Sequence, residues 1–203
     1  MSDRERERIF GSIRQALDPL KERTPYPEWD PAEVVARHAR ESGDLLAGFR
    51  EQLTAAKGLF FENWAEVAAF LKAENATCGY MDPSLESEAG QALAGLELSQ
   101  TIEREAIDRY AFGITPACGA IAETGSIIIR DGDSPYRLAA LAPWIHIAVV
   151  QRDSLVATLA EATSLFGTDP SVIFATGPSK TADIEGILIE GVHGPGIQAC
   201  LML

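Results

Sequence analysis

The residues that can do chemistry gather in SVIFATGPSKTADIEGILIEGVHGP, residues 171–195. Val172, Ile173 and Phe174 read as a short buried strand. Gly177 and Pro178 break it, and Ser179, Lys180 and Thr181 follow. A strand that ends in glycine and small hydroxyl residues leaves backbone N–H groups free to hold an anion or a carboxylate. Gly177, Ser179, Lys180, Thr181 and Gly194 are therefore read as binding residues. The plain alternative is a strand–turn–helix join with a Ser/Thr N-cap, and spacing alone leaves both readings open. Asp183 and Glu185 then fall in a first helical turn, where acids meet the helix dipole favourably. An Asp183 facing a pocket suits a polyol, a hydroxy acid or an amide better than a bare phosphate. The Lys-Thr pair lacks the glycines of G-x-x-x-x-G-K-[ST], so ATP hydrolysis is not indicated.

A second cluster is Glu123-Thr124-Gly125-Ser126, between Ile121-Ala122 and Ile127-Ile128-Ile129. It reads as a hairpin turn with Gly125 at positive φ. The functional alternative is a carboxylate at a sheet edge, with Glu123 as base or nucleophile and Thr124, Gly125 and Ser126 beside the substrate. Of the three histidines, His193 is flanked by glycines in a turn and is the candidate catalytic one. His146, inside Trp-Ile-His-Ile-Ala-Val, reads as a hydrogen-bonded core residue, and His38 as a surface residue. Glu123, Asp183 and His193 form the candidate catalytic set. No H-x-x-H, H-E-x-x-H or G-x-S-x-G spacing occurs, so no metal site and no nucleophile elbow is expected.

The elements that must position these residues alternate. Residues 2–17 read as a helix with an apolar stripe of Ile9, Ile13, Ala16 and Leu17. Four prolines make 18–31 an extended arm. A helix is expected from an Asp30 N-cap to Ala56 or Lys57. Leu59-Phe60-Phe61 reads as a strand, and Asn63 caps a helix with Glu66 three residues on. Thr77–Tyr80 and residues 95–99 are candidate strands, and Trp144–Val150 is strongly β-like. A helix capped by Asp153 or Ser154 is expected to reach Phe166, and Ile197–Leu203 is a final strand. Strands alternating with helices predict an α/β fold, a mainly parallel sheet flanked by helices. The expected division is 1–57, N-terminal helices and a Pro-rich arm, and 58–203, the α/β domain.

The 203 residues carry a net charge of −13, which argues against nucleic acid and anionic membrane surfaces as partners. An apolar fraction of 46% supplies a sizeable core. Three separated cysteines without C-x-x-C build no zinc knuckle or iron–sulfur cluster from this chain. The densely charged start lacks an apolar signal core. The run Leu138–Val150 falls short of the roughly 18 residues that span a membrane. A cytoplasmic protein with no membrane span is expected.

Four blocks stand in one order: Ala120-Ile-Ala-Glu-Thr-Gly-Ser126, Trp144-Ile-His-Ile-Ala-Val149, Gly177-Pro-Ser-Lys-Thr-Ala-Asp-Ile-Glu185 and Gly191-Val-His-Gly-Pro195. Together they resemble the LUD-domain family over about residues 58–203. At Thr115-Pro-Ala-Cys-Gly-Ala120 the chain departs from the family pattern, with Cys118 in place of a polar residue. The resemblance implies a fold like the ribose-5-phosphate isomerase, glucosamine-6-phosphate deaminase and CoA-transferase group. It implies a subunit of an oxidoreductase complex that oxidises L-lactate to pyruvate with iron–sulfur partner subunits. The clusters would lie in those partners, and this chain would bind no cofactor itself. Glu123 or His193 would accept the hydroxyl proton. Two alternatives stand beside this reading: a stand-alone acyl-CoA transferase or sugar-phosphate isomerase-like enzyme using Glu123, and a non-catalytic assembly or regulatory subunit.

Overall fold

A computed structural model describes residues 3–18, 28, 43–130, 137–169, 171–182 and 187–203. Contacts divide the chain into two units, Met1–Val35 and Ala36–Leu203. In the first, α1 (Asp3–Leu17) buries none of its residues, and Ile9, Phe10, Ile13 and Leu17 are exposed. The expected arm and the Asp30 cap lie outside the described residues, apart from Asp18 and Glu28.

The larger unit is built on six parallel strands: β1 (Leu59–Phe61), β2 (Cys78–Met81), β3 (Glu97–Ser99), β4 (Phe112–Pro116), β7 (Ile145–Val150) and β12 (Ile197–Met202). Their order is β1-β12-β7-β4-β2-β3. The expected α/β fold with a mainly parallel sheet flanked by helices is what the chain adopts. A second sheet runs β8-β5-β6-β9, from β5 (Gly119–Ile121), β6 (Ser126–Arg130), β8 (Leu155–Val156) and β9 (Val172–Ala175). A separate antiparallel ribbon pairs β10 (Lys180–Ala182) with β11 (Leu188–Glu190).

Local chemistry sets the helix starts. Asp44 caps α2 (Leu45–Ala55) by accepting from the N–H groups of Leu46 and Ala47. Asn63 caps α3 (Trp64–Ala73) and takes the Glu66 N–H, as the spacing predicts. Strand alternation then separates two cores. Ile145, Ile147, Val149, Phe112, Ile114 and Leu201 pack on one side with Val67 and Leu71 of α3. Ala148, Val150, Cys200 and Met202 face the other way, against Phe49 and Leu53 of α2 and Ala120, Ile127 and Ile129 of the second sheet. α2 thus belongs to the larger unit, although it precedes the boundary at 57/58 read from the sequence.

Three expectations are corrected. No continuous helix runs from Asp153 to Phe166. Leu155 and Val156 instead pair with Ala120 and Ile121 as an edge strand, and Thr158 caps a short α6 (Leu159–Ala162). Val172–Ala175 is not buried; it is the edge of the second sheet, half-exposed, with Phe174 open to solvent. Among the residues described directly after Ser179, none is helical. Lys180–Ala182 continues as β10, because the Leu188-Ile189-Glu190 run pairs with it as a ribbon.

The middle of the parallel sheet carries a polar row, in which His146 on β7 is in register with Gly113 on β4 and Gln198 on β12. His146 is fully buried. Its Nδ1 lies 2.9 Å from Gln198 Oε1 and its Nε2 2.9 Å from Thr115 Oγ1. The Gln198 amide nitrogen donates to Ala199 O at 3.1 Å, which turns Oε1 toward the ring. Nδ1 therefore carries the ring proton, and Nε2 accepts from the Thr115 hydroxyl. Burial lowers the His146 pKa to about 4, only partly opposed by the Gln198 hydrogen bond. Gly113 leaves room for α5 (Arg137–Leu141): a Cβ there would land on the carbonyl oxygen of Ala139.

Two outcomes are expected. Gly113→Ala should destabilise the chain by about 2 kcal/mol through overpacking, read from urea unfolding midpoints. For His146 the folded pKa, about 4, lies below the unfolded value of 6.5. Below pH 6.5 the unfolded chain takes up a proton that the folded chain refuses. The contribution is therefore complete above pH 6.5 and is lost as pH falls to about 4, with a total on the order of 3 kcal/mol. His146→Gln should remove this component, so the stability difference from wild type should shrink as unfolding is repeated from pH 7 down to 4.5.

Candidate functional site

A cavity of about 290 Å³ opens beside the polar row. Its floor is His146 and Gln198, at the amino ends of β7 and β12. One wall is apolar: Ile129 of β6, Ala140 and Leu141 of α5, and Ile173 of β9. The opposite wall is the chain leaving β9, Thr176 to Ser179, together with His193, Gly194 and Pro195.

The two glycine-rich turns meet at Ser179. Its N–H donates to Pro195 O at 2.9 Å, and its carbonyl accepts the Gly191 N–H at 2.9 Å. Gly177 makes the approach possible. It sits at φ +72, and a Cβ there would strike the Ala56 carbonyl. The indole of Trp144 lies where side chains at Gly191 and Gly196 would be.

Four of the binding and catalytic candidates therefore line one cavity: Gly177, Ser179, His193 and Gly194. Lys180 does not. Its Nζ donates to Ala56 O at 2.9 Å, at the carbonyl end of α2, and so tethers the ribbon. Lys57 does the same from the other side, 2.6 Å from Glu190. Thr181 lies within β10, in register with Ile189. Asp183 lies outside the described residues.

The turn at 123–126 is a hairpin between β5 and β6. Gly125 is buried under α2. Glu123 is not among the lining residues, and its Oε1 accepts the Leu159 N–H at 2.7 Å, at the start of α6. Thr124 and Ser126 reach the cavity indirectly. Thr124 Oγ1 donates to Ser126 Oγ at 2.7 Å, and Ser126 Oγ lies 2.6 Å from Thr176 Oγ1.

Sequence reasoning missed Thr176, Gln198 and Thr115. The signal was present for Gln198: an isolated amide in an apolar strand must find partners when buried. His146 is hydrogen-bonded in the core as read, and it also floors the cavity. Both of its ring nitrogens are taken by protein partners, so it serves as a holder of neighbours. Among the described residues no Asp or Glu lines the cavity, and no three His, Cys, Asp or Glu gather as a metal site. None of the described helices is long and apolar enough to cross a membrane.

The lactate utilization protein C of Halalkalibacterium halodurans is 35% identical over 107 residues, 49% of this chain and 46% of that protein. The protein of the same name from Bacillus subtilis is 36% identical over 91 residues, 41% of this chain and 38% of its own length. The chain thus spans less than half the length of these relatives. A crystal structure of a DUF162 family protein from Deinococcus radiodurans superposes with a TM-score of 0.58 at 22% identity, covering 79% of this chain and 96% of that one. That likeness is one of fold. The LUD domain model matches residues 80–202, which hold the parallel sheet from β4 to β12 and every described lining residue of the cavity. The chain belongs to the LUD domain family.

Proposed function

We propose that this chain is a component of an L-lactate utilization system and binds a small organic acid in the cavity beside Ser179 and His193. The observation that supports this is the cavity's composition. In a chain of net charge −13, its described lining holds hydroxyls, an exposed imidazole, a carboxamide and apolar groups, with no carboxylate among them. Such a lining accepts an anion that the rest of the surface repels.

In this reading the chain works in the cytoplasm as part of an oxidoreductase complex. Electrons from the hydroxy acid pass to iron–sulfur clusters in partner subunits. His193, at the mouth, is the group placed to take the hydroxyl proton, and Ser179 positions the acid. The fold is of the kind found in the ribose-5-phosphate isomerase, glucosamine-6-phosphate deaminase and CoA-transferase group, with residues 58–203 as its body. The reading that makes Glu123 a nucleophile starts from a carboxylate already holding the Leu159 N–H.

Deletion of the gene should abolish growth on L-lactate as sole carbon source and leave growth on glucose unchanged. The wild-type gene should restore growth. His193→Ala and Ser179→Ala should restore it poorly, with doubling times at least twice that of wild type at equal protein level. Normal growth of the deletion strain on lactate would overturn the proposal.

A further inference from the structure

Two hydrogen-bond relays end at the cavity, and both end in donors. The first starts at the exposed Thr124, whose hydroxyl donates to Ser126 Oγ. Ser126 is 5% exposed, and its own proton has one acceptor among the described residues, Thr176 Oγ1 at 2.6 Å. The opposite polarity would leave a buried hydroxyl proton without a partner, which is costly. Ser126 therefore donates to Thr176. That leaves the Thr176 proton without an acceptor among the described residues, on an exposed side chain that lines the mouth of the cavity.

The second relay starts at Thr115, which donates to His146 Nε2; His146 Nδ1–H donates in turn to Gln198 Oε1. The Gln198 amide has two N–H groups. One goes to Ala199 O, and the other has no acceptor among the described residues, on a side chain 2% exposed that lines the same cavity.

We infer that Thr176 and Gln198 are the ligand-recognition residues of this cavity, a pair of fixed donors that select acceptor-only oxygens, the carboxylate of a small acid, over a carboxamide or an alcohol. This rests on the reading of the cavity as an organic-acid site and assigns the residues that read the acid. Ser126, Thr124, His146 and Thr115 are positioning residues. Each holds the next group so that it keeps donating. A carboxylate offers two charged acceptor oxygens to the two donors, whereas a carboxamide offers one neutral carbonyl oxygen and must place its N–H groups elsewhere, so selection follows from polarity and does not need a lysine or arginine.

The test measures binding to the full chain by calorimetry, with pyruvate and L-lactate as acids and lactamide and propane-1,2-diol as neutral counterparts. Wild type should bind the acids and discriminate against the neutral compounds. Thr176→Val should weaken acid binding about tenfold or more, and Thr176→Ser should retain it. Ser126→Ala removes the donor that holds the Thr176 hydroxyl and leaves that hydroxyl free to turn and accept. It should narrow the acid-to-amide ratio severalfold at unchanged melting temperature, an effect that a merely structural serine would not produce. Equal acid binding by wild type, Thr176→Val and Gln198→Met, or no acid binding by wild type, would overturn the inference. In the latter case, loss of lactate growth on deletion would leave the role in lactate utilization standing while the acid site and this assignment fall.

Discussion

His146 occupies the middle of the parallel sheet and gives each ring nitrogen to a different neighbouring strand, Nδ1 to Gln198 on β12 and Nε2 to Thr115 on β4. A buried imidazole is tolerable only when neutral and fully bonded, and burial here keeps it neutral. That requirement fixes three strands against one another at one level. The Gln198 carboxamide is fixed as well, since an amide flip would set Oε1 against the Ala199 carbonyl oxygen. The cavity floor is therefore as rigid as the sheet. The same level holds Gly113, whose missing side chain lets α5 lie close over the strands and supply an apolar wall.

The opposite wall is held by weaker means. β10 and β11 form a ribbon of two short strands, and two-stranded ribbons are marginal alone. Ile187, Leu188 and Ile189 are all exposed, so core packing does little to retain it. Its moorings are Lys180 on the Ala56 carbonyl, the Lys57–Glu190 pair and the backbone bonds of Ser179. Exposed ion pairs of this kind contribute about 1 kcal/mol or less. A rigid floor facing a lightly tethered wall suits a site that must admit and release its ligand.

Much of this was legible in the sequence, and the parts that were not have physical reasons. The capped α3, the β-like run at Trp144–Val150, the 123–126 hairpin and the mainly parallel sheet all follow from local signals. The helix expected after Asp153 failed because Leu155 and Val156 are needed at the edge of the second sheet, a tertiary demand that local pattern does not carry. The ribbon went unread because the residues after Ser179 suit a turn or a helix start as well as a strand, and for Lys180–Ala182 the pairing with Leu188–Glu190 decides. Both glycine-rich turns stand out in the sequence, but that they meet at Ser179 is seen only in the fold. The polar partners beneath them come from three strands far apart in sequence, Thr115, His146 and Gln198, and only the strand order brings them together.

That strand order also bears on what the fold can be asked to explain. Ligands of open α/β sheets generally bind beyond the carboxyl ends of the strands. Here the cavity lies at the amino ends of β7 and β12, because the second sheet, α5 and the Ser179 turn close over that end. Reasoning from fold group to active site would therefore look at the opposite end of the sheet from this cavity. The side chains argue otherwise. Gln198, 2% exposed, keeps one amide N–H unpaired beside this cavity, which a buried polar group does at a cost in stability unless something else completes it, and the exposed Thr176 hydroxyl opens on the same space. The chemistry of this chain is accordingly read from where its donors end, and both relays end in the same cavity.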